Sequence, residues 1–511
     1  MFKYSISKFY NYVQKDYIID WLNLYGVSSG FKKEKKNTYF MDIGNDLEKQ
    51  ILQIVSRDKK VTDLTQFLFK NYTHKTRTVK TLNDNSFDFI YQGLVAEDCF
   101  YGIPDFIVKK KVVAEWMNKY NESMEYLFED DDGLVIVDVK TSCKINNGVV
   151  SKSTRNYNWL QFQMSMYCKM LSSMTSKPCK NAYIMSMKNN KIMIGSIDLC
   201  PIDTEALKKY MNDMSIDGAE WKLFPKPSCD YLYPNMKNEY DQEWRTTKEY
   251  IAKRIGEWTL MPFITFNDRE KLWNKGFKTF REDNILKEID NLPVKVHKNM
   301  IKVNQGDVIC NTLNEDKVVE YIKANISNDD CLLFIDIETL FTSNENKMIF
   351  VPFMACVYCN KDFKKEIILA ESSPVTNDET NEVISKVSEI IQKYKRRYEN
   401  VKVIHYSGNE AKVFEKIEGV SYIDLYSAIK TSDFAITGLF SYRLKDLYKF
   451  LVRNNEESNI TNGFDAMWHG VFYYDEKDTI KKQKYKNDLD QYISRDVEIL
   501  LKIYRYFERQ F

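Results

Sequence analysis

Apolar and polar residues recur with regular periods along this chain, and the period predicts which stretches form helices and which form strands. Near the front, the repeat in residues 41–55 predicts a helix with one apolar face. Strand-like runs follow at residues 99–108 and 134–141, and the second, rich in valine and isoleucine, is expected to be central in a sheet. Residues 159–171 have the spacing of an amphipathic helix.

The back of the chain has a different order of elements. Three strands, a helix and a fourth strand are predicted, at residues 331–338, 348–358, 366–371, 381–398 and 401–405. A helix with an apolar stripe is predicted to close the chain at residues 488–511. These patterns predict an α/β protein with more than one domain.

The length of 511 residues exceeds what one hydrophobic core usually serves, and about 100–200 residues per domain predicts two or three folding units. We expect an N-terminal domain at residues 1–205, a helical linker at 206–325 and a C-terminal domain at 326–511. Prolines punctuate the start of the linker, and helices are predicted at 241–257 and 268–273.

Composition narrows the class of protein. With 44% hydrophobic and 29% charged residues and a net charge of +1, the chain resembles ordinary soluble proteins, so any nucleic-acid contact must come from local basic patches. The chain has no apolar run of the roughly 18 residues that a membrane span needs, and its first residues lack a signal-peptide core. We expect a cytoplasmic protein with no membrane association and with reduced thiols at its ten cysteines.

Charged residues in the front half suggest phosphodiester chemistry. Side chains alternate along a strand, so Asp138 and Lys140 share one face of their predicted strand. Together with Glu48 and Asp105, Asp138 could supply the hard carboxylate oxygens that a divalent cation requires. A lysine beside such an ion can activate water and stabilise the transition state. An ordinary ion pair on an exposed strand is the alternative for Asp138 and Lys140.

These residues form a set that resembles the RecB-like branch of the PD-(D/E)xK nucleases. The family has a Gly-x-x-x-His/Glu helix, a Gly-x-x-Asp strand, an Asp-x-Lys strand and a Gln-x-x-x-Tyr helix. The matching residues are, in order, Gly44 and Glu48, Gly102 and Asp105, Asp138 and Lys140, and Gln163 and Tyr167. This chain has Glu48 where other members have histidine.

The resemblance implies a restriction-endonuclease-like domain that uses Mg²⁺ or Mn²⁺. It implies metal binding by Glu48, Asp105 and Asp138, catalysis by Lys140, and support of the site or of the DNA backbone by Gln163 and Tyr167. Some relatives carry an iron–sulfur cluster on flanking cysteines. This chain lacks those cysteines, so no cluster is expected.

The back half carries a second set of acidic residues. Asp336 and Glu338 are two apart on a predicted strand and share a face, while Tyr492 and Asp496 are one turn apart on the final helix. This set resembles the DEDD exonucleases, which have an RNase H-like fold. In them four carboxylates bind two metal ions roughly 3.5–4 Å apart. The resemblance implies metal binding by Asp336, Glu338 and Asp496 and a water-positioning role for Tyr492.

The middle motif of this second set departs from the usual pattern. Glu410 aligns with an aspartate of the DEDD enzymes, and Asp424 is the competing candidate for the third metal ligand. His405 is either a catalytic residue or a hydrogen-bonded core histidine. The same stretches resemble an RNase H-like domain found behind RecB-like nucleases in a family of uncharacterised nucleases. Its recurring motifs are matched by His405, Tyr406 and Glu410, by Asp424 and Leu425, and by Ser441, Tyr442, Leu444 and Lys445.

The linker resembles the small helix-hairpin-helix-like segments that join nuclease domains in some RecB-like proteins. Such elements hold the phosphate backbone through main-chain amides. A plain helical spacer is the alternative.

Taken together, the sequence predicts a metal-dependent nuclease, acting most simply as an exonuclease on DNA, with RNA as the other substrate, in replication, repair or recombination. In one alternative only the N-terminal site is active and the C-terminal domain binds nucleic acid. In another the chain is an inactive nucleic-acid-binding scaffold. The sequence has no ATP-binding P-loop, so a helicase or replication protein would be a separate partner.

Overall fold

The computed structural model describes residues 3–34, 39–57, 59–68, 71–120, 133–141, 143–175, 177–188, 191–238, 240–305, 312–344, 347–374, 382–406, 420–452, 460 and 463–509. The chain forms two compact units, Met1–Glu257 and Trp258–Phe511, and both are mixed α/β. The linker predicted at residues 206–325 is therefore divided between the two units.

The first unit contains eight α-helices and eleven strands among its described residues. The helices are α1 (Tyr10–Val13), α2 (Ile18–Trp21), α3 (Tyr39–Val55), α4 (Asn71–Asp84), α5 (Lys110–Tyr120), α6 (Tyr157–Thr175), α7 (Thr204–Ile216) and α8 (Arg245–Ile255). The strands are β1 (Tyr4–Ser5), β2 (Val61–Asp63), β3 (Phe89–Tyr91), β4 (Val95–Glu97), β5 (Phe100–Gly102), β6 (Phe106–Lys109), β7 (Leu134–Val139), β8 (Ile145–Asn146), β9 (Val149–Val150), β10 (Ala182–Lys188) and β11 (Lys191–Ile197).

An eight-stranded mixed sheet organises this unit, in the order β2-β3-β6-β7-β10-β11-β9-β8. The central strand β7 pairs antiparallel with β6 and parallel with β10. Val135, Val137 and Val139 pack on one face with residues of α3 and α5. The alternate residues of β7, including Asp138, therefore face the other side, where α6 contacts β7 and β10.

The strand predicted at residues 99–108 is in fact two strands in different sheets. β5 lies between β1 and β4 in a small three-stranded sheet, whereas β6 belongs to the large sheet. Pro104 lies at the break, and proline cannot donate a hydrogen bond to a sheet ladder. The break leaves Asp105 immediately before β6.

A buried ion cluster ties α8 to the start of the chain. The Lys248 ammonium lies 2.9 Å from both Asp16 Oδ2 and Asp241 Oδ2 and donates to the Asn238 carbonyl at 2.7 Å. Lys248 and Asp16 are completely buried. Removing one partner of such a cluster would leave a buried charge uncompensated, so residues up to 257 fold with the N-terminal segment.

The second unit contains nine α-helices and seven strands among its described residues. The helices are α9 (Phe266–Asn274), α10 (Ile285–Glu288), α11 (Lys298–Asn304), α12 (Glu315–Asn325), α13 (Glu382–Lys395), α14 (Leu425–Thr431), α15 (Leu444–Val452), α16 (Gly463–Asp475) and α17 (Thr479–Glu508). The strands are β12 (Thr312–Leu313), β13 (Cys331–Asn344), β14 (Lys347–Cys359), β15 (Lys364–Leu369), β16 (Val401–His405), β17 (Ser421–Asp424) and β18 (Ala435–Ile436).

A five-stranded sheet in the order β15-β14-β13-β16-β17 forms the centre of this unit. The predicted order of three strands, a helix and a fourth strand is confirmed by β13, β14, β15, α13 and β16. Along β13, Leu333 and Ile335 pack with α13 on one face of the sheet. Leu332 and Phe334 pack with α17 on the other.

The final helix is longer than the sequence predicted. α17 begins at Thr479 instead of residue 488, because the Asp478 side chain caps it by accepting hydrogen bonds from the backbone amides of Ile480 and Lys481. None of the helices in the described ranges is both long and apolar enough to cross a membrane.

Candidate functional site

Three carboxylates of the second unit converge where β13 meets α17. Asp336 and Glu338 continue the face of β13 that carries Leu332 and Phe334, which is the face covered by α17. Asp496 lies on α17 and is 5% exposed. One oxygen from each of Asp336, Glu338 and Asp496 lies within 4.8 Å of the others. The structure thus brings together three of the residues that the sequence predicted as ligands, and we call them the triad.

The local backbone helps to aim the Glu338 side chain. The β13–β14 register shifts between Glu338 and Thr339, and such bulges re-aim side chains near sites of function. Gly463, the first residue of α16, lies so close that a Cβ there would be 3.5 Å from Glu338 Oε2. A helix N-terminus favours a nearby negative charge, so α16 stabilises this carboxylate.

Three carboxylates meet at the triad, and the ammonium of Lys445 pairs with one of them. At 4.8 Å two like charges in a half-buried site repel each other by about 3 kcal/mol. The Lys445 ammonium lies 3.2 Å from Asp496 Oδ2, but Asp496 Oδ1 is buried and has no hydrogen-bond partner among the described residues. Burial raises the pKa of Asp496, and Lys445 lowers it in part. Carboxylate oxygens arranged in this way fit a hard divalent cation.

Tyr492 lies beside the triad, one turn before Asp496 on α17, and the charge of Asp496 acts on its hydroxyl. Burial raises the pKa of Tyr492 far above its usual range, and the charges of Glu338, Asp496 and Asp336 raise it further. The phenol therefore stays protonated and acts as a hydrogen-bond donor. Lys445 also contacts this ring, with its ammonium 4.0 Å from the ring centroid. We call the triad, Tyr492 and Lys445 the back site.

The other residues predicted for this site lie elsewhere or outside the described residues. Asp424 caps α14, because its side chain accepts from the Ser427 amide at 3.2 Å and from Ser427 Oγ at 2.6 Å. It is not a member of the triad. Glu410 lies outside the described residues.

His405 is not brought to the back site either. It is the last residue of β16 and is 1% exposed. Its neighbours Ile404 and Tyr406 pack in the apolar cluster on the triad side of the sheet. Alternation therefore directs His405 to the opposite face, which favours the interpretation as a core histidine over the catalytic one.

The front residues are brought together by the pairing of β6 with β7. Phe106 pairs with Val137, so Asp105 lies opposite Asp138. The Asp105 amide donates to Asp138 Oδ1 at 3.3 Å, and the Val139 amide donates to Asp105 Oδ2 at 2.7 Å. The Lys140 ammonium forms a close ion pair with Asp138, which is 2% exposed. The predicted neighbourhood of Asp105, Asp138 and Lys140 is thus present.

Burial and the neighbouring carboxylates change the titration of these groups. Burial first, and then Asp138, raise the pKa of Asp105 well above its usual range. Burial lowers the pKa of Lys140, but Asp138 and Asp105 raise it by more, so its pKa is raised overall. Lys140 is therefore held as an ammonium ion, which stabilises negative charge instead of accepting a proton.

Gln92 connects Glu48 to this group. Its Nε2 donates to Glu48 Oε1 at 2.6 Å and to Asp105 Oδ1 at 3.1 Å. The Gln92 backbone amide donates to the Asp105 backbone carbonyl at 2.9 Å. The Gln92 backbone carbonyl lies 2.7 Å from His74 Nε2. The backbone at Gln92 is left-handed, with φ 55°. We call Glu48, Gln92, Asp105, Asp138 and Lys140 the front site.

Sequence reasoning missed Gln92 because a glutamine after a short strand matches no motif. Its role depends on a positive φ and on contacts with residues 44 and 13 positions away. Among the described residues, the acidic group whose ligand atoms all lie within 4.8 Å of one another is the triad. The carboxylates of the front site are not gathered that closely. Instead, Gln92 and Lys140 satisfy the front carboxylates internally.

The last pair predicted for the front, Gln163 and Tyr167, lies on α6. Gln163 Nε2 donates to the Tyr167 hydroxyl at 3.0 Å, and Gln163 Oε1 is buried without a hydrogen-bond partner among the described residues. Burial raises the pKa of Tyr167, and Asp138 raises it further, so the phenol lies near the front site. A Cβ at Gly102 would lie 2.3 Å from the Tyr167 ring, which explains why glycine precedes Asp105 by three residues.

Comparison with known proteins gives no family for this chain. No family model matches it, and no curated protein is similar to it. Among solved structures, it is similar to the crystal structure of SSO0001 at 11% identity, over 34% of this chain and 84% of that chain, with a TM-score of 0.16. A likeness of that strength carries no argument about the fold or function of this chain.

Proposed function

We propose that this protein is a metal-dependent nuclease that hydrolyses phosphodiester bonds, with DNA as the favoured substrate. The observation that carries the proposal is the convergence of Asp336, Glu338 and Asp496 within 4.8 Å, beside the hydroxyl of Tyr492. Carboxylates that repel each other in this way are stabilised by a divalent cation. Mg²⁺ and Mn²⁺ are the ions that this oxygen-rich set suits.

The chemistry of the back site follows from its own residues. Asp336, Glu338 and Asp496 would hold the ion, which when bound neutralises charge on the phosphoryl oxygens and activates water. Tyr492 stays protonated, so it orients groups by hydrogen bonding and does not act as a general base. Lys445 supplies a positive charge 3.2 Å from Asp496 Oδ2 and can face a phosphate.

The front site supports the same reaction class by a different arrangement. Lys140, held as an ammonium, would stabilise charge that develops on the phosphate. We infer a PD-(D/E)xK domain for the first unit and an RNase H-like domain of the DEDD type for the second. We propose that the protein acts as an exonuclease in replication, repair or recombination. Any helicase that works with it would be a separate protein.

One observation favours a version of this proposal in which a single site turns over. The front carboxylates are satisfied by Lys140 and Gln92, and an ion there would have to displace these donors. The back site presents Asp496 Oδ1 without such a donor in the part of the chain that is described. If one site alone works, we expect it to be the back site, whereas the sequence favoured the front site.

Cleavage of end-labelled DNA and RNA, single- and double-stranded, with Mg²⁺, Mn²⁺ or EDTA, tests the proposal. The wild type should cleave with a divalent ion and not with EDTA. Asp336→Ala should abolish cleavage by the back site, and Lys140→Ala should remove cleavage by the front site. Lys144→Ala, at an exposed position four residues after Lys140, is the control and should leave cleavage unchanged. If the wild type cleaves none of these substrates with a divalent ion, the nuclease proposal is contradicted. The inactive nucleic-acid-binding scaffold would then be the remaining hypothesis.

A further inference from the structure

Three aromatic rings of the first unit form a continuous, partly exposed surface, which we call the aromatic surface. Tyr10 lies at its centre, with its ring centroid 4.8 Å from that of Tyr240 and 5.2 Å from that of Trp159. Tyr240 is 49% exposed, and Tyr10 and Trp159 are half-buried. Large aromatic rings are costly to leave in water, so a row of them at the surface indicates a binding role.

A cavity of about 400 Å³ adjoins this surface and is lined by Tyr10 and Tyr240. Its volume lies in the range of about 300–1,000 Å³ that is typical of ligand clefts. Apolar residues, including Leu24 and Met214, form part of its wall. Three carboxylates also line it, and each has a hydrogen-bond or ion-pair partner within the fold: Asp20, Asp241 and Glu243. Asn11 also lines the cavity, and its Oδ1 is buried without a hydrogen-bond partner among the described residues. That oxygen can accept a hydrogen bond from an amino or imino group of a planar ring.

Two cationic side chains lie near the aromatic surface. Lys8 is exposed and lines the cavity, and Arg155 is exposed and acts electrostatically on Tyr10. A row of aromatic rings next to cationic side chains is typical of proteins that bind single-stranded nucleic acid. The rings stack with bases and the cations contact the phosphate backbone.

Helix α6 connects the aromatic surface to the front site. Trp159, Gln163 and Tyr167 are spaced by four residues and therefore follow one another along one face of the helix. Trp159 contacts Tyr10, Gln163 hydrogen-bonds Tyr167, and Tyr167 lies near Asp138. A chain bound on the aromatic surface would thus lie about two helical turns from the front site.

We propose that the aromatic surface binds the bases of single-stranded nucleic acid and guides the strand toward the front site. Bases in a duplex are stacked on one another and cannot reach these rings, so the surface selects unpaired strands. This inference rests on the proposed function because it assigns the strand state of the nuclease substrate. The buried Asn11 Oδ1 offers one hydrogen bond to a base edge inside the adjoining cavity.

Binding of fluorescent oligonucleotides in EDTA tests the inference without any cleavage. The probes are a single-stranded oligodeoxythymidine, the same length of abasic strand, and a duplex, each measured by anisotropy at fixed salt. The wild type should bind the thymidine strand more tightly than the abasic strand and the duplex. Tyr240→Ser should weaken binding of the thymidine strand about tenfold, as expected for one lost stacking contact, and should barely affect the abasic strand.

Tyr250→Ser is the matched control, since Tyr250 is 48% exposed and its ring packs on Phe224. It should bind all probes as the wild type does. Tyr10→Leu provides a second variant that keeps an apolar side chain at a half-buried position, and it should also weaken binding of the thymidine strand. Equal binding of thymidine and abasic strands by the wild type would overturn the inference, as would equal losses in Tyr240→Ser and Tyr250→Ser. Failure of the proposed nuclease activity would leave these binding results unchanged, so the two failures are distinguishable.

Discussion

The front site and the back site both gather carboxylates beside a central strand, but the carboxylates have different hydrogen-bond and ion-pair partners in the two sites. In the front site, Lys140 pairs with Asp138, and the Gln92 amide lies between Glu48 and Asp105. In the back site, Lys445 contacts Asp496, while the triad crowds three oxygens within 4.8 Å. The front carboxylates therefore have internal hydrogen-bond donors, whereas we propose that a cation from solution serves the carboxylates of the back site.

This difference shows that the same residue types support different behaviour according to their neighbours. A hydrogen-bond donor stabilises a charged carboxylate, whereas carboxylates crowded together repel one another until a cation binds. Each of the following predictions would break or sharpen this contrast.

The largest expected effect is on metal binding. Asp336→Asn removes one of three oxygen ligands, so we expect the tightest Mn²⁺ binding to weaken by about 100-fold or more, beyond the 10–100-fold cost of losing an outer hydrogen-bond partner. Isothermal titration with Mn²⁺ measures this loss. Glu498→Gln, at an exposed position of the same helix as Asp496, is the control and should bind Mn²⁺ normally. Full Mn²⁺ affinity in Asp336→Asn would show that the triad is not the metal centre.

The second expected effect, measured in EDTA, is that two matched substitutions change the unfolding free energy in opposite directions. Asp138→Asn leaves the Lys140 ammonium without its partner and should lower the unfolding free energy of the first unit by about 2 kcal/mol, below the usual cost because Lys140 is partly exposed. Asp336→Asn relieves the repulsion among the triad carboxylates, so it should raise the unfolding free energy of the second unit by about 1 kcal/mol. Hydrogen exchange of peptides from β7 and α17 measures the two units separately. Destabilisation by both substitutions would contradict the contrast.

The third effect concerns Gln92. Gln92→Asn keeps an amide that tolerates positive φ, but its shorter side chain cannot bridge Glu48 and Asp105. We expect a loss of about 1–2 kcal/mol in the unfolding free energy of the first unit, since two charged acceptors lose their donor. Urea unfolding monitored by exchange of β6 peptides measures it, and Gln53→Asn at an exposed position of α3 is the control. A stability equal to that of the wild type would remove Gln92 from the front site.

The smallest effect is expected at Lys445. Lys445→Met removes a cation that competes with a metal ion for Asp496, so Mn²⁺ affinity should rise. We expect a rise of about fivefold, which corresponds to the loss of one water-screened interaction of about 1 kcal/mol. Titration at constant ionic strength measures it, with Lys449→Met, one turn later on α15, as the control. Weaker Mn²⁺ binding in Lys445→Met would mean that Lys445 positions Asp496 for the ion.

The sequence predicted those parts of the sites that depend on local periodicity. A period of two placed Asp336 and Glu338 on one face, and a helical period placed Tyr492 one turn before Asp496. The structure brings these four residues together. Their convergence required only that α17 cover the correct face of β13, which its apolar stripe determines.

The remaining features depend on conformation that the period does not encode. Pro104 divides a run that reads as one strand, and Asp424 uses its carboxylate to cap a helix. Gln92 joins the front site through a left-handed backbone and a bridge between distant residues. Lys445 was visible as part of a motif, but only the packing of α15 on α17 gives it contact with Asp496.

Locating Mn²⁺ by anomalous scattering, in crystals grown with the ion, tests the central claim most directly. The account predicts an anomalous peak bound by oxygens of Asp336, Glu338 and Asp496. A peak at the front site with none at the triad, or no peak at either site, would contradict it.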